Sequence, residues 1–264
     1  MVLGARSRPA PAGRMTLGQH LLELRKRLFL AAAGILLGAI VGWLLSGFVW
    51  GALREPIDAI VHAQHRNAQI NYPDITSAFD LKLKISVYVG LIVSSPVWLY
   101  QTFAFLMPGL TRTEKRYTFA FFFTAIPLFL AGCAAGWYVL PHVVELMTGF
   151  APTQDAAFIN AQNYFDFVLK LVVAIGIAFV LPVFLVLLNF AGVISAQSII
   201  KSWRIATLII ILFTAIATPA ADVISMFLLA IPMVLLYFTA YGIAALHDRR
   251  IAKRAQNLEE GLTA

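Results

Sequence analysis

The sequence predicts an all-α integral membrane protein with six transmembrane helices. Of its 264 residues, 60% are hydrophobic and only 12% are charged, whereas about a quarter are charged in an ordinary soluble domain. Long apolar runs alternate with short charged segments along almost the whole chain. This alternation is typical of membrane spans joined by loops.

The first predicted elements are a tail and a helix that enters the membrane. Residues 1–15 are rich in Arg, Ala and Pro, and they are predicted to form a disordered cytoplasmic tail that is not cleaved. Thr16 and Gln19 fit a capping box, so a helix is predicted to start there and run through Glu23. The first span is predicted over residues 28–50.

Each of the next three spans contains a proline, which removes a backbone hydrogen bond and predicts a kinked helix. The second span is expected to end at Pro108 and Gly109, which are strong helix breakers. The three spans and their prolines are 82–107 with Pro96, 118–140 with Pro127, and 164–190 with Pro182.

The fifth apolar run, residues 203–217, is short for a membrane span. Its length of roughly 22 Å falls below the hydrocarbon thickness of about 30 Å. The sixth run, 222–246 with Pro232, is long enough. Because the N-terminus and the basic tail at 247–264 are both predicted to be cytoplasmic, the number of membrane crossings must be even. Six spans satisfy this, with the last two forming a short hairpin.

The distribution of basic residues predicts that both termini are cytoplasmic. Most of the 20 Lys and Arg residues fall in the predicted cytoplasmic segments, as the positive-inside rule requires. Two larger outer loops, 51–81 and 141–163, carry most of the remaining acidic residues and are expected to pack as a cap. The basic residues on or near the predicted outer side are Arg54, Arg66, Lys82, Lys84 and Lys170.

Several function classes lack their sequence signals. The net charge is +7, but the basic residues flank apolar runs, so nucleic-acid binding is not predicted. The only cysteine, Cys133, excludes an intrachain disulfide and a cysteine-based metal site. Walker A, H-E-x-x-H and G-x-S-x-G motifs are absent, which weighs against an enzyme. His62 and His65 are better explained as a solvated loop pair than as metal ligands, and no cofactor is predicted.

An acidic residue lies within the basic cluster before the first span. His20, Glu23 and Arg27 fall on one helical face, whereas Arg25 points away. One interpretation is an ion pair between Glu23 and Arg27, worth roughly 0.3 to 0.5 kcal/mol. The other is an anionic receptor for a cationic ligand.

A second unusual acid, Glu114, lies between the second and third spans. The predicted topology places it on the same membrane face as Glu23. It is interpreted either as a solvated charge that favours the helix dipole or as a second receptor group. Together the two carboxylates would clamp two adjacent guanidinium groups, because each guanidinium is a planar fork that matches one carboxylate.

Four further polar residues lie in or near spans. Lys170 is expected to snorkel to the outer surface, while Gln101 and Asn189 are expected to form interhelical hydrogen bonds. Asp222 is interpreted as an N-cap or as a contact for a partner. An alternative function is a secondary transporter of a small solute with Lys170 and Gln101 as its site. The carboxylates cluster at the aqueous faces instead, and this distribution favours a receptor.

These residues also resemble the TatC family, the multi-spanning subunit of the twin-arginine protein translocase. The matching segments occur in order across about residues 17–241, and as a set they are highly specific. They are residues 20–27, 95–105, 108–110, 114–116, 218–222 and 229–232.

The resemblance implies a receptor for the twin-arginine signal peptides of folded export cargo, in the cytoplasmic membrane of a prokaryote. It implies TatA-type and TatB-type single-span partners, self-association, contact with membrane lipid, and energy from the proton-motive force. The residues that match family positions are Glu23 and Glu114 as signal-binding acids, Arg25 in the accompanying cluster, Phe105 as the adjacent aromatic, Pro56 and Phe79 in the outer loop, and Asp222 after the fifth span.

The sequence departs from the family pattern at two places. Many relatives have a glutamate before the proline of the fourth span, where this chain has Val180. A role assigned to that acid therefore does not transfer. The segment from Thr218 to Asp222 is also one residue longer than the common spacing, which leaves the placement of Asp222 open.

Overall fold

The computed structural model describes residues 17–64, 68–106, 112–149, 157–218 and 223–263. Helices account for nearly all of these ranges, and the rest consists of two four-residue strands and short turns. In chain order the elements are α1 Leu17–Gln64, β1 Ala68–Asn71, α2 Ser77–Val93, α3 Ser95–Leu106, α4 Arg112–Gly149, β2 Ala157–Asn160, α5 Ala161–Phe190, α6 Ala196–Lys201, α7 Trp203–Ala217 and α8 Val223–Thr263.

The helices have the length and composition of membrane spans. In the described ranges, α1, α4, α5 and α8 are each long and apolar enough to cross a membrane, and α2 with α3 forms a fifth candidate bent by 58°. Helix α7 is apolar but has 15 residues. These findings confirm a helical, multi-pass membrane fold. The count of six spans stays a prediction.

Helix α1 is much longer than the predicted first span of 28–50. It runs without interruption for 48 residues and contains Pro56, so its length of about 72 Å exceeds the membrane core. The prediction that residue 51 begins a loop was wrong. Leu53 and Ile57 are buried in the main core, and this contact extends the helix beyond the apolar run. Thr16, its predicted N-cap, lies outside the described residues.

The predicted second span is broken into α2 and α3 at Ser94, with a bend of 58°. This is a larger change of direction than the kink predicted from Pro96. The proline cannot donate a hydrogen bond, and its ring clashes with the carbonyl of the preceding turn. The indole N–H of Trp98 donates to the carbonyl oxygen of Leu91 at 2.9 Å, which satisfies a backbone acceptor at the break.

Glycines allow the closest helix contacts. Helix α1 packs most extensively against α2, and α4 against α5. A Cβ atom added to Gly38 of α1 would lie 2.5 Å from the carbonyl oxygen of Gly90 in α2. On the other pair, a Cβ added to Gly132 would lie 2.9 Å from the Cα of Gly176. Small residues at these crossings let the backbones meet directly.

Helix α5 is the central element of the bundle. It matches the predicted fourth span closely and carries more buried side chains than any other described helix. Val180, at the position where many relatives have an acid, is only 2% exposed and belongs to the main apolar core. The site of the missing acid is therefore filled by apolar contacts.

Strands β1 and β2 pair in parallel, with Ile70 opposite Ile159. They join the two predicted outer loops to each other, although the complete cap stays a prediction. The all-α prediction missed this pairing because four-residue segments are too short to show a strand period.

In the C-terminal third, one helix has its predicted bounds and two helices differ from the prediction. Helix α7 has the predicted bounds. Helix α8 continues to Thr263, because the basic tail at 247–264 is rich in helix-forming residues. The short helix α6 was not predicted, and the side chain of Ser195 caps it by accepting from the backbone N–H of Ser198.

Candidate functional site

Glu23 and Arg27 form a close ion pair near the start of α1. Arg27 donates to Glu23 Oε1 from Nη2 at 2.6 Å and from Nε at 3.1 Å. The side chains of Arg27 and Glu23 are only 23% and 19% exposed. The predicted i,i+4 pair is thus present, but it is more buried than an ordinary surface pair.

The ion pair is tied to a second helix through Gln101. Arg27 Nη1 donates to Gln101 Oε1 of α3 at 3.3 Å. Gln101 therefore forms an interhelical hydrogen bond, which is one of its two predicted roles. Because Arg27 is held by both residues, the Glu23 carboxylate is fixed in orientation.

The second oxygen of Glu23 is in a different environment from the first. Oε2 is buried, and it has no hydrogen-bond partner among the residues that the structure describes. A buried acceptor left unsatisfied costs about 1 to 3 kcal/mol. The carboxylate therefore offers a free acceptor to a donor that enters this surface.

An aromatic pair lies beside the ion pair. The rings of His20 and Phe105 stack with centroids 4.3 Å apart and planes 27° apart. This contact brings Phe105 of α3 to the same face of α1 as Glu23. Arg25 lies on another face, where its guanidinium is 5.7 Å from the centroid of the Phe29 ring.

The structure leaves the second predicted acid only partly described. Glu114 lies in the first turn of α4, which begins at Arg112, and its side chain is outside the described residues. The two-carboxylate clamp therefore stays a prediction. Asp222 also lies outside the described residues, as do the side chains of His62 and His65.

The predicted outer-loop residues lie far from Glu23. Pro56 is 33 positions further along α1, which corresponds to about 50 Å. Phe79 is exposed and meets Trp43 edge-on, with centroids 6.3 Å apart. Lys170 is exposed on α5. The structure thus brings together Glu23, Gln101 and Phe105, and it leaves Pro56 at the opposite end of the helix.

An ion-pair cluster that sequence reasoning missed joins α2 to α5. Lys84 Nζ lies 3.1 Å from Asp166 Oδ2 and 3.2 Å from Asp80 Oδ2. Gln162 of α5 also donates to Asp80, at 3.5 Å. The sequence signal for this cluster was Asp166, a carboxylate inside the predicted fourth span, because such groups usually have a specific partner.

A second missed residue, Asp248, connects three helices. Its Oδ2 accepts from the backbone N–H of Ala196 at 2.7 Å, and its Oδ1 accepts from Asn189 Nδ2 at 3.0 Å. Asn189 is therefore an interhelical hydrogen-bonding group, as predicted. An acid within the basic tail was the only sequence signal for this contact.

Known proteins match this sequence over almost its whole length. The family model described as "Sec-independent protein translocase protein (TatC)" matches residues 19–232. The protein of that name from Xylanimonas cellulosilytica is 44% identical over 95% of this chain and 91% of its own. The one from Rothia mucilaginosa is 37% identical over 95% of this chain and 86% of its own.

The fold agrees as well. A solved structure described as "Crystal Structure of Twin Arginine Translocase Receptor- TatC in DDM" has a TM-score of 0.72 and 34% identity. The match covers 85% of this chain and 99% of that one. Since sequence and fold agree over most of their length, the chain belongs to the TatC family and is a multi-pass component of the twin-arginine translocase in the prokaryotic cytoplasmic membrane.

Proposed function

We propose that the chain is the receptor for twin-arginine signal peptides and the scaffold on which the translocase assembles. The observation that carries this proposal is the buried Oε2 atom of Glu23, which has no hydrogen-bond partner among the described residues. Its neighbour Oε1 already accepts from Arg27. The carboxylate is therefore held in place with one acceptor left for a ligand.

Hydrogen-bond chemistry favours an arginine as that ligand. A guanidinium group has five donors in a planar fork and stays charged, so it makes strong charge-assisted bonds to a carboxylate. Glu23 Oε2 would accept from one arginine, and Glu114 would hold the second. A lysine at either position supplies a point charge without the fork.

The stacked rings of His20 and Phe105 give the same surface an apolar part. An apolar side chain of the bound peptide would pack there while its arginines reach the acids. Arg25, on a different face of α1, would act through long-range charge or membrane orientation rather than through this contact.

Membrane topology supports access from the cytoplasm. With six spans and both termini inside, the start of α1 and the start of α4 lie on the cytoplasmic face, where unexported cargo is found. Single-span TatA-type and TatB-type subunits and further copies of the chain are the proposed partners, with the proton-motive force as the energy source. The outer residues Pro56, Phe79 and Asp222 are the proposed outer-loop and partner contacts.

The transporter alternative receives no structural support. Gln101 accepts from Arg27, and Lys170 is exposed on α5. The two residues therefore do not share one buried polar site.

The proposal is tested by crosslinking a twin-arginine signal peptide to the full chain in membranes. We expect Glu23→Gln with Glu114→Gln to reduce crosslinking about tenfold or more, because a hydrogen bond to a charged group contributes about 1.5 to 3 kcal/mol. The matched control is Glu55→Gln, which removes an exposed carboxylate at the far end of α1. Undiminished crosslinking in the double variant would overturn the receptor site.

A further inference from the structure

A basic pocket lies between the second half of α1 and the start of α2, away from the proposed peptide site. Its volume is about 560 Å³, and the charged residues in its described lining are Arg54 of α1 and Lys82 of α2. Both residues were exceptions to the positive-inside rule in the sequence. Cations on the predicted outer side are uncommon, so these two call for a specific reason.

Neither cation has a carboxylate partner in the described part of the chain. The described ion pairs of Arg27 with Glu23 and of Lys84 with Asp80 and Asp166 do not involve either cation. Lys82 Nζ instead lies 4.3 Å from the centroid of the Trp43 ring. Lys84, only two residues away, therefore pairs with two carboxylates, whereas Arg54 and Lys82 have no ion pair among the described residues.

The pocket lies where α1 passes from an apolar to a polar surface. Leu44 and Phe48, just before it, are each 79% exposed, as expected for side chains that face lipid. Arg54 and the exposed acid Glu55 follow within two turns. Trp50 lines the pocket and the Trp43 ring lies against Lys82, and tryptophan is enriched where a membrane meets water.

The α1 wall of the pocket is open enough for a ligand to approach its backbone. Gly47 and Gly51 line the pocket one helical turn apart. A Cβ atom added to either glycine would meet nothing within 4 Å. Among the described residues, no side chain therefore fills the space beside these two glycines.

We propose that this pocket binds the headgroup of an anionic phospholipid in the leaflet at this end of the protein. Arg54 would contact the phosphodiester through its planar fork, and Lys82 would contribute a second positive charge. The acyl chains would run along the exposed apolar side chains of Leu44 and Phe48. This site is independent of peptide recognition, and a lipid held there would clamp α1 to α2 at the membrane surface.

The test is native mass spectrometry of the purified full chain, titrated with phosphatidylglycerol or with phosphatidylcholine of the same acyl chains. We expect tighter binding of phosphatidylglycerol. Arg54→Gln with Lys82→Gln should weaken the affinity for phosphatidylglycerol about 30-fold, and each single change should weaken it about fivefold. The reason is that each basic residue near an anionic surface raises the affinity about fivefold. Binding of phosphatidylcholine should change little.

Two control variants make the result specific. Lys201→Gln with Arg204→Gln removes the same charge from exposed positions elsewhere and should keep the binding. Arg54→Lys with Lys82→Arg preserves the charge in the pocket and should keep most of it.

Three results would overturn the proposal. They are unchanged phosphatidylglycerol binding in the double Gln variant, equal binding of phosphatidylcholine by the native chain, and displacement of the lipid by an equal concentration of soluble glycerophosphoglycerol.

Discussion

The two oxygens of the Glu23 carboxylate differ in what they contact, and this difference defines the candidate site. Arg27 occupies Oε1, while Oε2 has no partner in the described part of the chain. Sequence spacing predicted the ion pair, because residues four apart share a helical face. It could not predict the hydrogen bond from Arg27 to Gln101, since those residues are 74 positions apart. Local patterns identified the acid, and tertiary contacts determined which of its atoms is free.

Substitution of Val180 is predicted to lower the stability of the protein. The side chain is 2% exposed in an apolar core, so Val180→Glu would bury a carboxyl group and overpack its surroundings. We expect a cost of at least about 2 kcal/mol, visible as a lower thermal midpoint of the purified protein. Val180→Leu, which adds volume without a polar group, should cost less. A midpoint unchanged by the glutamate would show that this position tolerates the acid found in many relatives.

Helix boundaries followed the apolar pattern where no tertiary contact extends a helix beyond its apolar run. Helix α7 ends where its apolar run meets Thr218, and its predicted bounds were correct. Helix α1 continues past its apolar run because Leu53 and Ile57 pack into the core, and no local signal reveals such a contact. The pairing of β1 with β2 joins segments far apart in the sequence, so it too was missed.

The close contact between α1 and α2 predicts that a larger residue at Gly38 destabilises the protein. Gly38→Ala would place a Cβ 2.5 Å from the carbonyl oxygen of Gly90, so the helices must separate. We expect a loss of about 1 to 3 kcal/mol in stability, measured by thermal unfolding in detergent. Gly242→Ala of α8 is the matched control, because its added Cβ meets nothing within 4 Å and alanine favours a helix. Equal stability of the two variants would rule out a tight crossing at Gly38.

For the whole molecule, the two ends of α1 have different chemistry. The candidate peptide site lies near its start, and the basic pocket lies more than 20 residues later. Because α1 is long and apolar enough to cross a membrane, we expect these two surfaces to lie on opposite sides of it. Composition predicted the membrane class, and charge asymmetry predicted the orientation.

Labelling with a membrane-impermeant maleimide checks that orientation. In a Cys133→Ser background, Ile75→Cys should react in intact cells, because Ile75 is fully exposed between β1 and α2. Lys253→Cys in the basic tail should react only after the membrane is opened. Labelling of Lys253→Cys in intact cells would contradict a cytoplasmic C-terminus.

Discrimination between arginine and lysine is the sharpest test of the proposed receptor site. The measurement is the crosslinking yield of a twin-arginine peptide relative to its twin-lysine counterpart, compared between the native chain and Glu23→Gln with Glu114→Gln. We expect the native chain to favour the arginine peptide strongly and the variant to lose most of that preference, because only a carboxylate matches the guanidinium fork. An unchanged preference for the arginine peptide in the variant would contradict a signal-peptide site at Glu23 and Glu114.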